Sequence, residues 1–178
     1  MASTNLNKSG KKIRIAVSSC LQGLRVRYDG TDKNNDDIRK ICEQFDCICI
    51  CPESEVGLGT PRPPLNLIRI NNVFKARGRT NPAFDVTEKL TRQAQNVLTR
   101  YPDICGYIFK SRSPSCGVDS TPWKSSSGEE FGVTSGIFSA EIKLLLPNLP
   151  VAEETQLSDV NNREVFVQAV LRYASKKK

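Results

Sequence analysis

Three of the seven cysteines stand where chemistry can occur: Cys20 in "SSCLQG", Cys51 in "CICICPE" and Cys116 in "SPSCG". Each is bracketed by loop-forming residues (Ser-Ser, Pro-Glu, Ser-Gly) and not by core ones. Thiolates are soft ligands that suit zinc, copper(I) or an iron–sulfur cluster. The chain has no histidine, which removes Ser-His-Asp catalysis, Cys-His pairs and mixed Cys/His zinc sites. Three thiolates without a fourth protein ligand make either an incomplete zinc site or a cluster with one open iron. No paired C-x-x-C spacing supports a closed zinc site. Glu53, two residues past Cys51, and Ser113, three before Cys116, would set an acid/base and a hydroxyl beside the thiolates. The plainer readings are a solvated glutamate and a turn-forming serine. Ser19, Arg27 and Asp29 in "VRYDG", and Arg62 in "TPRPP" are further substrate-binding candidates. An arginine there orients a carbonyl, ring or phosphate, or else braces a loop through an ion pair.

The elements that must position these residues follow from hydrophobic period. "KIRIAVSS" (12–19) is an apolar run ending in small polar residues, as in a buried strand. "NDDIRKICEQF" places Ile38, Ile41, Cys42 and Phe45 at helical spacing behind Asn and Asp cap candidates. "CICICPE" is a second strand, and the Gly/Pro-rich "EVGLGTPRPPLNL" is expected as loop or edge. "VFKARG" reads as a short edge strand. A helix runs from "NPAF" to Tyr101, then a strand over "ICGYIFKS" (104–111). "STPWKSSSGEEFGVTSG" reads as loop, "IFSAEIKLLL" as helix, "PVAEE" as a fourth strand and "NREVFVQAVLRY" as the last helix.

Strands alternating with helices predict one Rossmann-like or flavodoxin-like α/β domain over residues 12–175, with helices on both faces of a mostly parallel four-stranded sheet. Residues 1–11 and 176–178 read as polar and basic tails. In such a sheet ligands bind beyond the carboxyl ends of the strands. Cys20, Cys51 and Cys116 all fall at that edge, whereas Cys42, Cys47, Cys49 and Cys105 are expected as core packing.

Composition narrows the class. The 178 residues are 38% hydrophobic and 25% charged, ordinary for a globular chain. No apolar run approaches the roughly 20 residues of a membrane helix. An odd cysteine count without an apolar leader argues for reduced thiols and a cytoplasmic setting. The formal charge of +7 is compatible with a nucleic acid but equally with a basic pocket for a small anionic or nucleotide-like molecule.

The segments "RIAVSSCLQGLRVRYDG", "CPESEVGLGTPRPP" and "KSRSPSCG", with "GVTSGIFS" and "LPVAEETQL" behind them, resemble the iron–sulfur-dependent thiouracil desulfurase family over nearly the whole chain. The resemblance implies a [4Fe–4S] cluster held by Cys20, Cys51 and Cys116, with its fourth iron open to a thiocarbonyl sulfur. It implies a non-redox reaction in which water replaces sulfur on a thiolated pyrimidine base or nucleoside and sulfide leaves, with Glu53 and Ser113 as catalytic residues. Two other classes compete: a non-catalytic metal-binding or redox-sensing domain on the same thiolates, and a metal-free cysteine-nucleophile transferase.

Overall fold

The computed structural model describes Asn5, Leu6 and residues 10–177. Two four-stranded sheets organise the chain. The first contains β1 (Arg14–Ser18), β2 (Asp46–Ile50), β5 (Tyr107–Phe109) and β8 (Val151–Glu153) in the order β2-β1-β5-β8. Every pairing in it is parallel. The order turns back between β1 and β5, so the loops leaving those two strands open a crevice at their carboxyl ends.

Helices cover both faces of this sheet. Ile13, Ile15 and Val17 point to one side, against Ile38, Ile41 and Phe45 around α1 (Asp36–Glu43) and Phe166 and Val170 of α5 (Val160–Lys176). Ala16, Tyr107 and Phe109 point to the other, against α3 (Thr87–Arg100) and α4 (Ile137–Leu145). α1 begins as expected, with Asn35 accepting from the Ile38 amide at 3.1 Å, and α5 is capped by Asp159. Burial of β1 on both faces explains why it reads as an unbroken apolar run.

The second sheet corrects the expected architecture of a single sheet. It contains β3 (Leu65–Ile70), β4 (Val73–Gly78), β6 (Thr121–Ser125) and β7 (Glu130–Thr134) in the order β4-β3-β6-β7. Three of these strands lie in segments whose Gly, Pro and Ser content reads as loop. The prolines at 61, 63 and 64 precede β3 and do not interrupt it. β3 and β4 are joined by Asn71 and Asn72, both left-handed at φ 48° and 63°, the backbone of a two-residue hairpin. Leu65, Leu67 and Ala76 turn toward Val86, Leu90 and Ile137, so this sheet shares α3 and α4 with the first.

Gly136 shows how tightly the second half is packed onto the cysteine loops. A Cβ there would sit 2.5 Å from the carbonyl carbon and 2.6 Å from the carbonyl oxygen of Ser115, and 2.8 Å from the Cys116 amide nitrogen. Those are backbone atoms that cannot step aside. Gly136→Ala is therefore expected to destabilise the fold by about 1–3 kcal/mol, read as a lowered denaturation midpoint.

The remaining cysteines divide differently from expectation. Cys105 is buried and donates to the Asp103 carbonyl at 3.2 Å. Cys42 and Cys47, expected as separate core thiols, meet as a sulfur pair at the junction of α1 and β2, with Cα atoms 5.4 Å apart. Cys49 is exposed on β2, an edge strand of the first sheet among the described residues. Of the expected tails, residues 1–4, 7–9 and 178 lie outside the described residues. Asn5 donates to the Gln44 carbonyl at 3.0 Å, and Lys177 to the Ile104 carbonyl at 3.0 Å. Among the described residues no helix is long and apolar enough to cross a membrane.

Candidate active site

Cys20 sits in a single 3₁₀ turn, Ser19–Gln22, that directly follows β1. Gly23 closes the turn in the left-handed region at φ 82°, which glycine adopts without steric cost. The Cys20 carbonyl accepts from the Lys33 amide at 2.8 Å, so a later loop pins the turn. Cys51 follows β2 and precedes a one-turn helix, α2 (Pro52–Glu55), with Pro52 supplying a preset φ. Its sulfur receives the Ser54 hydroxyl at 3.3 Å.

Cys116 sits in the loop after β5. Ser113 organises that loop: its hydroxyl oxygen accepts the amides of Ser115 (3.3 Å) and Cys116 (3.1 Å), and its carbonyl accepts Gly117 N–H and Thr121 O–H. Two glutamates at the end of β8 hold the loop from behind. Glu153 accepts from the Val118 amide at 2.6 Å and from Ser120; Glu154 accepts from the Ser111 amide at 2.7 Å and hydroxyl at 2.6 Å. The "VAEE" stretch therefore serves the cysteine loop as much as the sheet.

The three loops surround one cavity of about 500 Å³. Cys20, Cys51, Cys116, Glu53, Ser113, Ser19, Arg27 and Arg62 all line it. Asp29 does not: it turns back onto Thr31, accepting its amide at 3.1 Å and hydroxyl at 2.6 Å. Those bonds, with Arg27 nearby, hold its carboxyl below the usual range. Arg27 lines the cavity while also donating to Thr31 at 3.2 Å.

Arg62 is a clamp. Its Nε donates to Glu53 Oε2 at 2.8 Å, with side-chain exposures of only 4% and 13% for the two partners. Its Nη1 is held by the Gly59 carbonyl at 2.8 Å and Thr60 Oγ1 at 3.3 Å. The other oxygen of Glu53, Oε1, accepts the Ser115 hydroxyl at 2.7 Å. Ser115 was not legible as a site residue, because a fully buried serine inside "SPSCG" resembles any turn serine.

Lys110 is a second residue that sequence reasoning missed. It lines the cavity and is half-buried against Glu154, donating also to Ser111 Oγ at 2.8 Å. Lys33, Arg79, Arg112 and Lys124 complete a strongly cationic lining opposed by Glu53 and Glu130. Arg112 holds a left-handed backbone, φ 58°, a strained conformation of the kind that collects at functional sites.

Cys20 and Cys116 are poorly placed to ionise unaided. Burial first, and then the neighbouring Cys51, push Cys20 up to about 11. Burial, followed by Cys51, Glu53 and Cys20, pushes Cys116 well above the ordinary thiol value. Ionising Cys20 and Cys116 together thus calls for a positive group beside them. Among the described residues no three Cys, Asp or Glu close around a single ion. Three thiol side chains lining one cavity form a soft donor set of the kind an iron–sulfur group takes.

Comparison with known proteins bears directly on this site. The model of the 2-thiouracil desulfurase family matches residues 15–154, a span that includes all three cysteine loops. The chain is 32% identical over 152 residues to the uncharacterized protein YbbK of Bacillus subtilis (strain 168), covering 82% of this chain and 99% of that one. Among solved structures it resembles the [4Fe-4S]-dependent thiouracil desulfidase TudS at a TM-score of 0.62 and 27% identity, over 86% of this chain and 99% of that one.

Proposed function

Since the chain belongs to the 2-thiouracil desulfurase family, we propose that it is a carbon–sulfur-cleaving enzyme that converts a thiolated pyrimidine to its oxo form by hydrolysis. The reaction consumes water and yields hydrogen sulfide, with no net electron transfer. The observation that carries the reading is the convergence of Cys20, Cys51 and Cys116, with Glu53 and Ser113, on one cavity. The three cysteines are the residues that would hold a [4Fe–4S] cluster. Bound there, it supplies a Lewis-acidic iron for a soft sulfur, making that sulfur a better leaving group.

The protein's own residues do the rest. Glu53 presents a carboxylate to the cavity from a fixed position, where it accepts a proton from the water that attacks the ring carbon and returns one to the departing sulfur. Ser113 uses its oxygen to accept two loop amides, which leaves its hydroxyl hydrogen to donate to substrate or water. Arg62, read from sequence as a substrate contact or an ion-pair brace, is paired with Glu53 while also lining the cavity. The cationic lining suits a substrate rich in acceptors, as a pyrimidine base or nucleoside is, and Arg27 and Ser19 line the cavity where they can meet it. Five free cysteines and an iron–sulfur cofactor favour a cytoplasmic location.

The metal-free alternative is disfavoured for Cys20 and Cys116, whose thiols are pushed up by burial and are weak nucleophiles near neutrality. The test is turnover of 2-thiouracil by anaerobically reconstituted protein, followed by loss of thiocarbonyl absorbance. Conversion that disappears when iron is chelated supports the proposal. Iron-loaded protein that leaves 2-thiouracil and its nucleoside untouched supports the non-catalytic metal-binding alternative.

A further inference from the structure

Ser115 does not line the cavity and is completely buried, yet its hydroxyl meets the carboxylate assigned the proton transfer. The Glu53 carboxylate receives one donor on each oxygen: Ser115 Oγ on Oε1 at 2.7 Å and Arg62 Nε on Oε2 at 2.8 Å. A single donor would leave the carboxylate free to rotate about its last bond. Two donors from opposite sides fix its plane. Both are themselves held. The Ser115 amide donates to Ser113 Oγ, and its carbonyl accepts the Ser139 amide at 3.1 Å. Arg62 is tied to the carbonyl of Gly59.

The clamp also joins two cysteine loops. Glu53 lies two residues after Cys51, and Ser115 immediately before Cys116. Their hydrogen bond spans 62 positions of sequence and sets where the carboxylate stands relative to both thiols. We infer that Ser115 is a positioning residue for Glu53, holding its carboxylate in the orientation that proton transfer requires. This rests on the desulfurase reading above. It gives "SPSCG" two separate serine roles: Ser113 faces the cavity and shapes the loop, while Ser115 aims the acid.

The test compares iron-loaded wild type, Ser115→Ala, Ser115→Thr, Glu53→Gln and the double variant Glu53→Gln/Ser115→Ala. Iron content and the affinity for uracil, measured by calorimetry, are read beside kcat and KM. Misplacing a group in proton transfer costs about 10- to 100-fold. Ser115→Ala is therefore expected to lower kcat by about that factor, with iron content, KM and uracil affinity within about two-fold of wild type. Ser115→Thr, which keeps the hydroxyl, is expected to recover most of the loss, and Ser115→Ala to cost nothing further in the Glu53→Gln background. Wild-type kcat in Ser115→Ala, or the same fall in the Glu53→Gln background, overturns the inference. Loss of iron in both serine variants also overturns it, by making Ser115 purely structural. A wild type that holds iron without desulfurating any thiopyrimidine instead sinks the reading on which the inference rests.

Discussion

Replacing Cys20, Cys51 or Cys116 by alanine, one at a time, is expected to reduce bound iron from about four atoms per chain to near background and to abolish thiouracil turnover. The three side chains line one cavity from three different loops, so removing any one leaves an open side that no other thiol can fill. Cys49 is exposed on the edge strand, and Cys105 is engaged with the Asp103 carbonyl away from the cavity lining. Cys49→Ala and Cys105→Ala are therefore expected to keep iron and activity. Iron and acid-labile sulfide assays on the five variants, with visible absorption, check the whole set. Iron retained in any of the first three would mean that the ligand set is misassigned.

The second large effect belongs to Glu53. Glu53→Gln preserves shape but removes the negative charge and proton-accepting capacity, and is expected to cut turnover by about 10²–10⁴-fold while iron stays bound. It also leaves the guanidinium of Arg62 buried beside a neutral amide. Breaking a buried ion pair from one side costs about 3–5 kcal/mol, so the same variant is expected to unfold at a clearly lower denaturant concentration. Stability and catalysis separate in Arg62→Lys, which keeps the charge but loses the fork that reaches Glu53, Gly59 and Thr60 together. Steady-state kinetics and urea titration of both variants decide the matter. Unchanged kcat in Glu53→Gln would remove Glu53 from the mechanism.

Much of this was readable from the chain. β1 and β5 and the helices around the first sheet follow from apolar runs and helical spacing, because these two central strands are buried. The shared sheet edge followed in turn from where Cys20, Cys51 and Cys116 stand relative to those strands. The second sheet was hidden because it is exposed on one side and punctuated by prolines at its start. β7 carries Phe131 and Val133 toward solvent, so its composition resembles a loop. The Asn71-Asn72 hairpin signal was present in "INNVF", though neither residue is the glycine that usually marks such a turn. Arg62 was legible as a residue of interest but not as the partner of Glu53, since the pairing depends on how "TPRPP" folds back. Ser115, Lys110, Glu153 and Glu154 owe their places to contacts between segments distant in sequence, which no local pattern encodes.

The most direct test of hydrolytic desulfuration follows the fate of both atoms exchanged at the ring carbon. Reconstituted protein is incubated with 2-thiouracil in ¹⁸O-labelled water without oxidant or reductant, and uracil, sulfide and label are quantified together. Equal amounts of uracil and sulfide are expected, with one labelled oxygen in each uracil formed and no turnover after iron is removed. Sulfide release that requires a reductant, or turnover that persists without iron, would contradict it.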